Sequence, residues 1–70
     1  MGEIERFVFA KNFTGTVEYD DTYRSVIASL YKGNACVWVW VSYVSGDEDR
    51  RAAIVEGMRR LHDAYSIARV

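Results

Sequence analysis

The sequence contains no proline and only one cysteine, Cys36. A single cysteine cannot form an intramolecular disulfide, so this 70-residue chain must be stabilised by packing or by association with another chain. The low cysteine content and the lack of signal-peptide features at the N-terminus predict a cytoplasmic protein. No stretch has the composition of a linker, and we therefore expect one domain over residues 1–70.

The sequence also lacks an excess of either charge, with nine Lys and Arg against ten Asp and Glu. Nucleic-acid-binding domains usually show a basic excess, because neutralisation of phosphates supplies much of their affinity. Direct binding of nucleic acid is therefore the minor expectation. The longest apolar run covers residues 35–41, far short of the roughly 20 residues that span a bilayer. We expect no association with membranes.

Residues that carry chemistry are scarce. Cys36, His62 and Asp63 are the only set that suggests nucleophilic catalysis, and nothing in the sequence predicts that they meet. Zinc sites need about four Cys or His ligands, and the chain has one of each. The acidic run at residues 47–49 lacks the glycine and the distal glutamate of a calcium loop. We expect no enzymatic activity, no metal and no cofactor.

The first part of the chain alternates in the manner of β-strands. Residues 4–11 and 16–19 predict two strands of an antiparallel hairpin, with the second strand's Val17 and Tyr19 facing inward. The intervening residues 12–15 predict the turn, in which Gly15 would be free to adopt positive φ.

Residues 21–32 fit two interpretations. The apolar residues follow the full template of an amphipathic helix, and Gly33 lies where a helix often ends. However, many of these residues favour strands, and Gly33-Asn34 could join strands over 24–32 and 35–43 as a hairpin turn. We favour the helix and keep the strand as the alternative. The apolar residues concerned are Tyr23, Val26, Ile27, Leu30 and Tyr31.

Residues 35–44 are apolar on both faces of a predicted strand. A strand that is covered on one side only would alternate apolar with polar residues. This pattern therefore predicts a central strand that is covered on both faces, by helices or by a helix and a partner chain.

A long helix is predicted over residues 45–66. Ser45 and Glu48 match a capping box, and Gly57 is expected to allow close approach of a neighbouring element. The residues of the predicted buried stripe are Ile54, Met58, Leu61 and Tyr65. The predicted ion pairs on the outer face are Glu56 with Arg60 and Arg59 with Asp63.

These elements predict a small α+β domain of the order β-β-α-β-α, with an antiparallel hairpin and a long C-terminal helix. The alternative is a four-stranded meander followed by one helix, β-β-β-β-α, which would leave one face of the sheet for dimerisation.

Ten aromatic residues in so short a chain fit two interpretations that do not exclude each other. They indicate an interaction surface, since Tyr and Trp are common in interface hot spots, or a small core that is filled by large side chains. We expect a non-enzymatic protein–protein interaction module that binds itself or another protein. It would act as a homo-oligomer subunit or as a small stoichiometric inhibitor or adaptor of a larger complex, a build typical of phage and mobile-element inhibitors. The candidate partner-binding residues are Trp38, Trp40, Tyr19, Asp20, Asp21 and Tyr23.

The alternative function is a module that binds single-stranded nucleic acid through the last helix, with bases stacked on the tryptophans. The candidate residues are Arg50, Arg51, Arg59 and Arg60.

Overall fold

The computed structural model of the chain describes residues 4–45 and 47–70. They form one antiparallel sheet and one helix, in strand order β1-β2-β3-β4. The elements are β1 (Ile4–Ala10), β2 (Phe13–Asp20), β3 (Ser25–Lys32), β4 (Ala35–Tyr43) and α1 (Asp47–Ala68). The α+β class is confirmed, in the alternative β-β-β-β-α arrangement rather than the β-β-α-β-α order that we favoured.

The segment that we favoured as a helix over residues 21–32 is instead a turn followed by β3. Val26, Ala28 and Leu30 are fully buried and alternate with residues on the opposite face, which is the period of a strand. Pairing with β2 on one side and β4 on the other satisfies the backbone of β3. These long-range pairings therefore override the helical spacing of the same residues.

The turn at Gly33-Asn34 joins β3 to β4, as the alternative interpretation required. Gly33 has φ of 62°, in the left-handed region that glycine adopts without strain. Lys32 and Ala35 pair directly across this two-residue connection.

The first hairpin is confirmed, with different boundaries. Its turn lies at residues 11–12 rather than 12–15, and Gly15 is inside β2, paired with Phe7 and Leu30. Gly15 is not among the glycines with positive φ in the described residues, so that expectation is wrong. Val17 and Tyr19 face inward as predicted, at 2% and 5% exposure.

The predicted central position of residues 35–44 is also wrong. β4 is an edge strand, whereas β2 and β3 have neighbours on both sides, and β3 contributes more buried core residues than any other element. The tryptophans of β4 pack in part against the core under α1, whereas no element of residues 4–45 and 47–70 covers the valines on its other face.

The helix α1 covers one face of the sheet. It packs mainly over β3 and β2 and contacts β4 only at its margin. Leu61 is fully buried, and the other members of the predicted stripe pack against the core. Among the described residues, no helix is both long and apolar enough to cross a bilayer.

Gly57 allows the close approach between α1 and the sheet that the sequence predicted. A Cβ atom at this position would lie 3.2 Å from Cγ1 of both Val17 and Val26, and 3.3 Å from Cζ3 of Trp40. The helix begins at Asp47 and extends to Ala68, two residues past the predicted end. The capping-box partner Glu48 has a side chain outside the described part of the structure, whereas Ser45 Oγ donates a hydrogen bond to Asp49 Oδ2 at 3.2 Å.

Candidate interaction surface

The face of the sheet opposite α1 is covered by no element of residues 4–45 and 47–70. Three β4 side chains on this face are largely exposed: Val39 at 57%, Val41 at 47% and Tyr43 at 79%. On β3, Ile27 pairs with Val41 and is partly exposed, as is Tyr31 further along the same face. Ser29, which pairs with Val39 between them, is buried. We call these residues the valine face: Ile27, Tyr31, Val39, Val41 and Tyr43.

The rest of this open sheet face is more polar. Thr16 and Glu18 of β2 lie between the valine face and β1, where Arg6 is exposed. Ile4 and Val8 are the apolar residues of β1 on this face, at 48% and 80% exposure. The exposed apolar side chains of this face are therefore more numerous on the β4 side of the sheet, next to the more polar β2.

The other side of β4, which faces α1, is also incompletely covered. Trp38 and Trp40 are half-buried there, because α1 lies over β2 and β3 rather than over the edge. The Arg60 guanidinium lies 5.2 Å from the centroid of the Trp40 ring and covers part of it. Both faces of this edge strand thus expose large apolar groups.

An apolar groove opens at the same edge, between the end of α1 and the β3–β4 hairpin. Its volume is about 250 Å³. Val37 lies beside the irregular pairing of Tyr31 with Cys36, is 51% exposed and contributes to the groove wall. The lining residues are Leu30, Val37, Trp38, Ala64, Ile67 and Ala68. The groove extends the exposed apolar surface around the edge of the sheet.

The six predicted partner-binding residues lie in three different places. Trp38 and Trp40 face the helix, and Tyr19 belongs to the core, with the Arg50 guanidinium 4.5 Å from its ring centroid. Asp20, Asp21 and Tyr23 lie at the β2–β3 turn, as described next. The structure does not assemble the six into one patch, and their role in partner binding stays a prediction.

At the β2–β3 turn, Asp20 has a structural role. Its Oδ1 accepts hydrogen bonds from the backbone N–H of Thr22 at 2.8 Å and of Tyr23 at 3.3 Å. Tyr23 is 72% exposed. Ser25, directly after this turn, pairs with Tyr43, so the turn adjoins one end of the valine face.

The four arginines proposed for nucleic-acid binding all lie on α1. Three of them have partners within the chain: Arg50 covers Tyr19, and Arg59 and Arg60 both bind Glu56. Arg59 also lies 3.6 Å from Asp63, so both predicted ion pairs are confirmed. Arg51 is exposed. The acidic partners on the same face, Glu56 and Asp63, offset part of this basic charge.

Glu56 is the centre of this charge network. Hydrogen bonds from Arg59 are the main reason that the pKa of Glu56 is lowered from its ordinary value. Desolvation opposes this shift in part, whereas the charges of Arg59 and Arg60 add to it. The same hydrogen bond to Glu56 raises the pKa of Arg59. Both groups therefore stay charged at neutral pH.

Cys36 and His62 do not meet. Cys36 is exposed at the start of β4, whereas the His62 ring lies against Phe7 and Phe9 of β1, at the opposite edge of the sheet. His62 Nδ1 is 2.8 Å from the carbonyl oxygen of Met58, to which it donates. Among the residues that the structure describes, no three His, Cys, Asp or Glu side chains group in a way that could hold a metal ion.

The alternative β-β-β-β-α interpretation predicted an open sheet face and used the Gly33-Asn34 turn to reach it. The residues of the valine face were not among the candidates, because the favoured interpretation assigned residues 35–44 to a doubly covered strand. Comparisons of the chain with protein-family models, with curated proteins and with solved structures found no match.

Proposed function

We propose that this chain is a non-enzymatic protein-binding module that contacts its partner through the valine face. It acts as a homo-oligomer subunit or as a small stoichiometric inhibitor or adaptor of a larger complex. The observation that carries the proposal is the exposure of Val39, Val41 and Tyr43, at 47–79%, on a face that no described element covers.

The physical argument rests on the cost of exposed apolar surface. Burial of such surface contributes about 25 cal/mol per Å², and a contiguous patch with a polar border is typical of an interface. The open face of a four-stranded sheet with strands of about eight residues presents roughly 500 Å² in projection, and the valine face occupies two of the four strands, or about half of it. A specific interface commonly buries about 800 Å² of accessible surface on each partner, so a partner at the valine face would also contact its polar border.

The test compares two identical substitutions on the same open face. Val39→Glu places a charge in the valine face, whereas Val8→Glu places one at an exposed position of β1, at the opposite edge. Each tagged variant is used to capture proteins from a nuclease-treated lysate of the source cells, and its self-association is measured by light scattering. Circular dichroism checks that both variants are folded.

We expect wild type and Val8→Glu to retain a bound protein or self-association, and Val39→Glu to lose it. Equal binding by the two variants would exclude the valine face as the contact surface. A wild-type protein that neither captures another protein nor self-associates contradicts the proposal. Bound material that disappears on nuclease treatment would also contradict it and would favour the nucleic-acid alternative.

A further inference from the structure

The outer backbone edge of β4 has no neighbouring strand among the described residues. An edge strand presents unpaired N–H and C=O groups, and soluble proteins usually protect such edges with charges, proline or bulges. Residues 33–46 contain no charged side chain, the chain has no proline, and the one irregularity in β3–β4 pairing lies at the start of β4. The opposite edge differs, because β1 carries Glu5 and Arg6 and is followed by Lys11.

The side chains of β4 extend this argument to both faces of the sheet. Val39 and Val41 are exposed on the open face, and Trp38 and Trp40 are half-buried on the side of α1. A strand laid beside β4 contacts both rows, because neighbouring strands are only about 4.8 Å apart and successive side chains alternate in direction. A partner that packed only on the open face would leave the tryptophans partly exposed.

We propose that a second copy of this chain pairs its β4 antiparallel with β4, so that two four-stranded sheets become one continuous sheet of eight strands. This inference rests on the proposed function and specifies the partner. A second copy suits the edge because its β4 is also uncharged, so no like charges oppose each other across the pairing. Its aromatic and β-branched residues also form favourable cross-strand pairs.

The alternation of side chains restricts the register. In antiparallel pairing, opposed residues point to the same face, so a symmetric dimer pairs odd positions with odd positions and even with even. With the two-fold axis at Trp40, Val39 lies opposite Val41 of the partner subunit. This register uses β4 from Val37 to Tyr43. An axis at Val39 would pair Ala35 with Tyr43 and so include the irregular start of β4, where the pairing with β3 shifts between Cys36 and Trp38. An axis at Val41 would place Val37 opposite Ser45, beyond the end of β4.

The first experiment measures the mass of the wild-type protein in solution by sedimentation equilibrium. We expect twice the monomer mass of 8.0 kDa. Val39→Lys is expected to weaken dimerisation at least about tenfold, because it places a charge in the pairing. The control, Val8→Lys, is expected to leave dimerisation unchanged. A wild-type protein that is monomeric at about millimolar concentration overturns the inference, and so does a Val8→Lys variant that dissociates while Val39→Lys does not.

The second experiment tests the register by oxidative cross-linking in a Cys36→Ser background. Val39→Cys and Val41→Cys chains are oxidised separately and as a mixture. We expect a disulfide-linked dimer only in the mixture, since each cysteine then faces the other across the pairing. Cross-linking of either variant alone but not of the mixture overturns the proposed register. If these variants fail to fold, the wild-type mass still decides whether the chain dimerises.

The two proposals fail in different ways. A monomeric wild-type protein that still captures another protein, and loses it on Val39→Glu substitution, overturns the dimer but keeps the protein-binding function. Unchanged binding by Val39→Glu overturns the function itself.

Discussion

Asp20 ends β2, and its carboxylate oxygen organises the turn that follows. Its Oδ1 accepts two backbone hydrogen bonds, from Thr22 and Tyr23, just before Arg24, which adopts a φ of 48°. A non-glycine residue at positive φ is held there at some cost, and local hydrogen bonds of this kind stabilise the turn. We therefore expect the oxygen acceptor, rather than the negative charge, to stabilise the turn.

We predict that Asp20→Ala lowers the free energy of unfolding by about 0.5–1.5 kcal/mol, because two N–H groups lose their acceptor. Asp20→Asn retains an oxygen acceptor and should cost much less. Urea unfolding of both variants measures the difference. Equal losses would show that the charge, and not the hydrogen bonds, stabilises the turn. If Asp20 instead steers a basic partner, Asp20→Asn will impair partner binding while leaving stability nearly unchanged.

At the scale of the element, α1 combines a buried stripe with an outer face of ion pairs. Glu56 accepts hydrogen bonds from Arg59 and Arg60, one turn further along the helix. These contacts lower the pKa of Glu56 in the folded state from its ordinary value of 4.5. A carboxyl group with a lowered folded-state pKa stabilises the fold above its unfolded-state pKa. That stabilisation is lost as the pH falls through the folded-state pKa.

We predict that Glu56→Gln is less stable than wild type at pH 7 and that the difference shrinks as the pH falls below 4.5. Thermal unfolding from pH 7 to about pH 2 measures the two stabilities. High salt should also reduce the difference, because the pairs are exposed. Glu5→Gln, which removes a carboxylate from β1, is the control. A difference between wild type and Glu56→Gln that is independent of pH would contradict the prediction.

At the scale of the whole molecule, the sheet has a helix on one of its faces and no described element on the other. One helix covers one face of a four-stranded sheet, and the exposed apolar residues collect at β4. A chain of this size buries only about 60% of its unfolded surface, so its stability margin is small. Pairing of β4 with a second copy would extend the sheet and bury part of the exposed surface, which would couple folding to association.

We predict that the thermal midpoint of the wild-type protein rises with protein concentration, because association stabilises the folded state by mass action. The midpoint of Val39→Lys should be nearly independent of concentration. Calorimetry over about a hundredfold range of concentration tests this. Val8→Lys should follow wild type. A wild-type midpoint that does not change with concentration would show that folding is not coupled to association.

Local patterns in the sequence were sufficient for several features. The alternation around Val17 and Tyr19 predicted a strand with these residues inward, since a strand's side chains alternate regardless of what pairs with it. The helix with its buried Leu61 followed equally from local spacing. Its ion pairs join residues three or four positions apart, so they also require no knowledge of the rest of the fold.

Only the tertiary structure decided the conformation of β3 and the position of β4. Val26 and Leu30 fit both periods, and β3 forms because β2 and β4 pair with it on either side. Likewise, a strand that is apolar on both faces is expected at a sheet centre, yet its place is set by the order in which strands pair. Sequence alone thus determined the local periodicity and the charge pairs. The exposed valine face arose from long-range pairing and from the packing of α1 on the opposite face of the sheet.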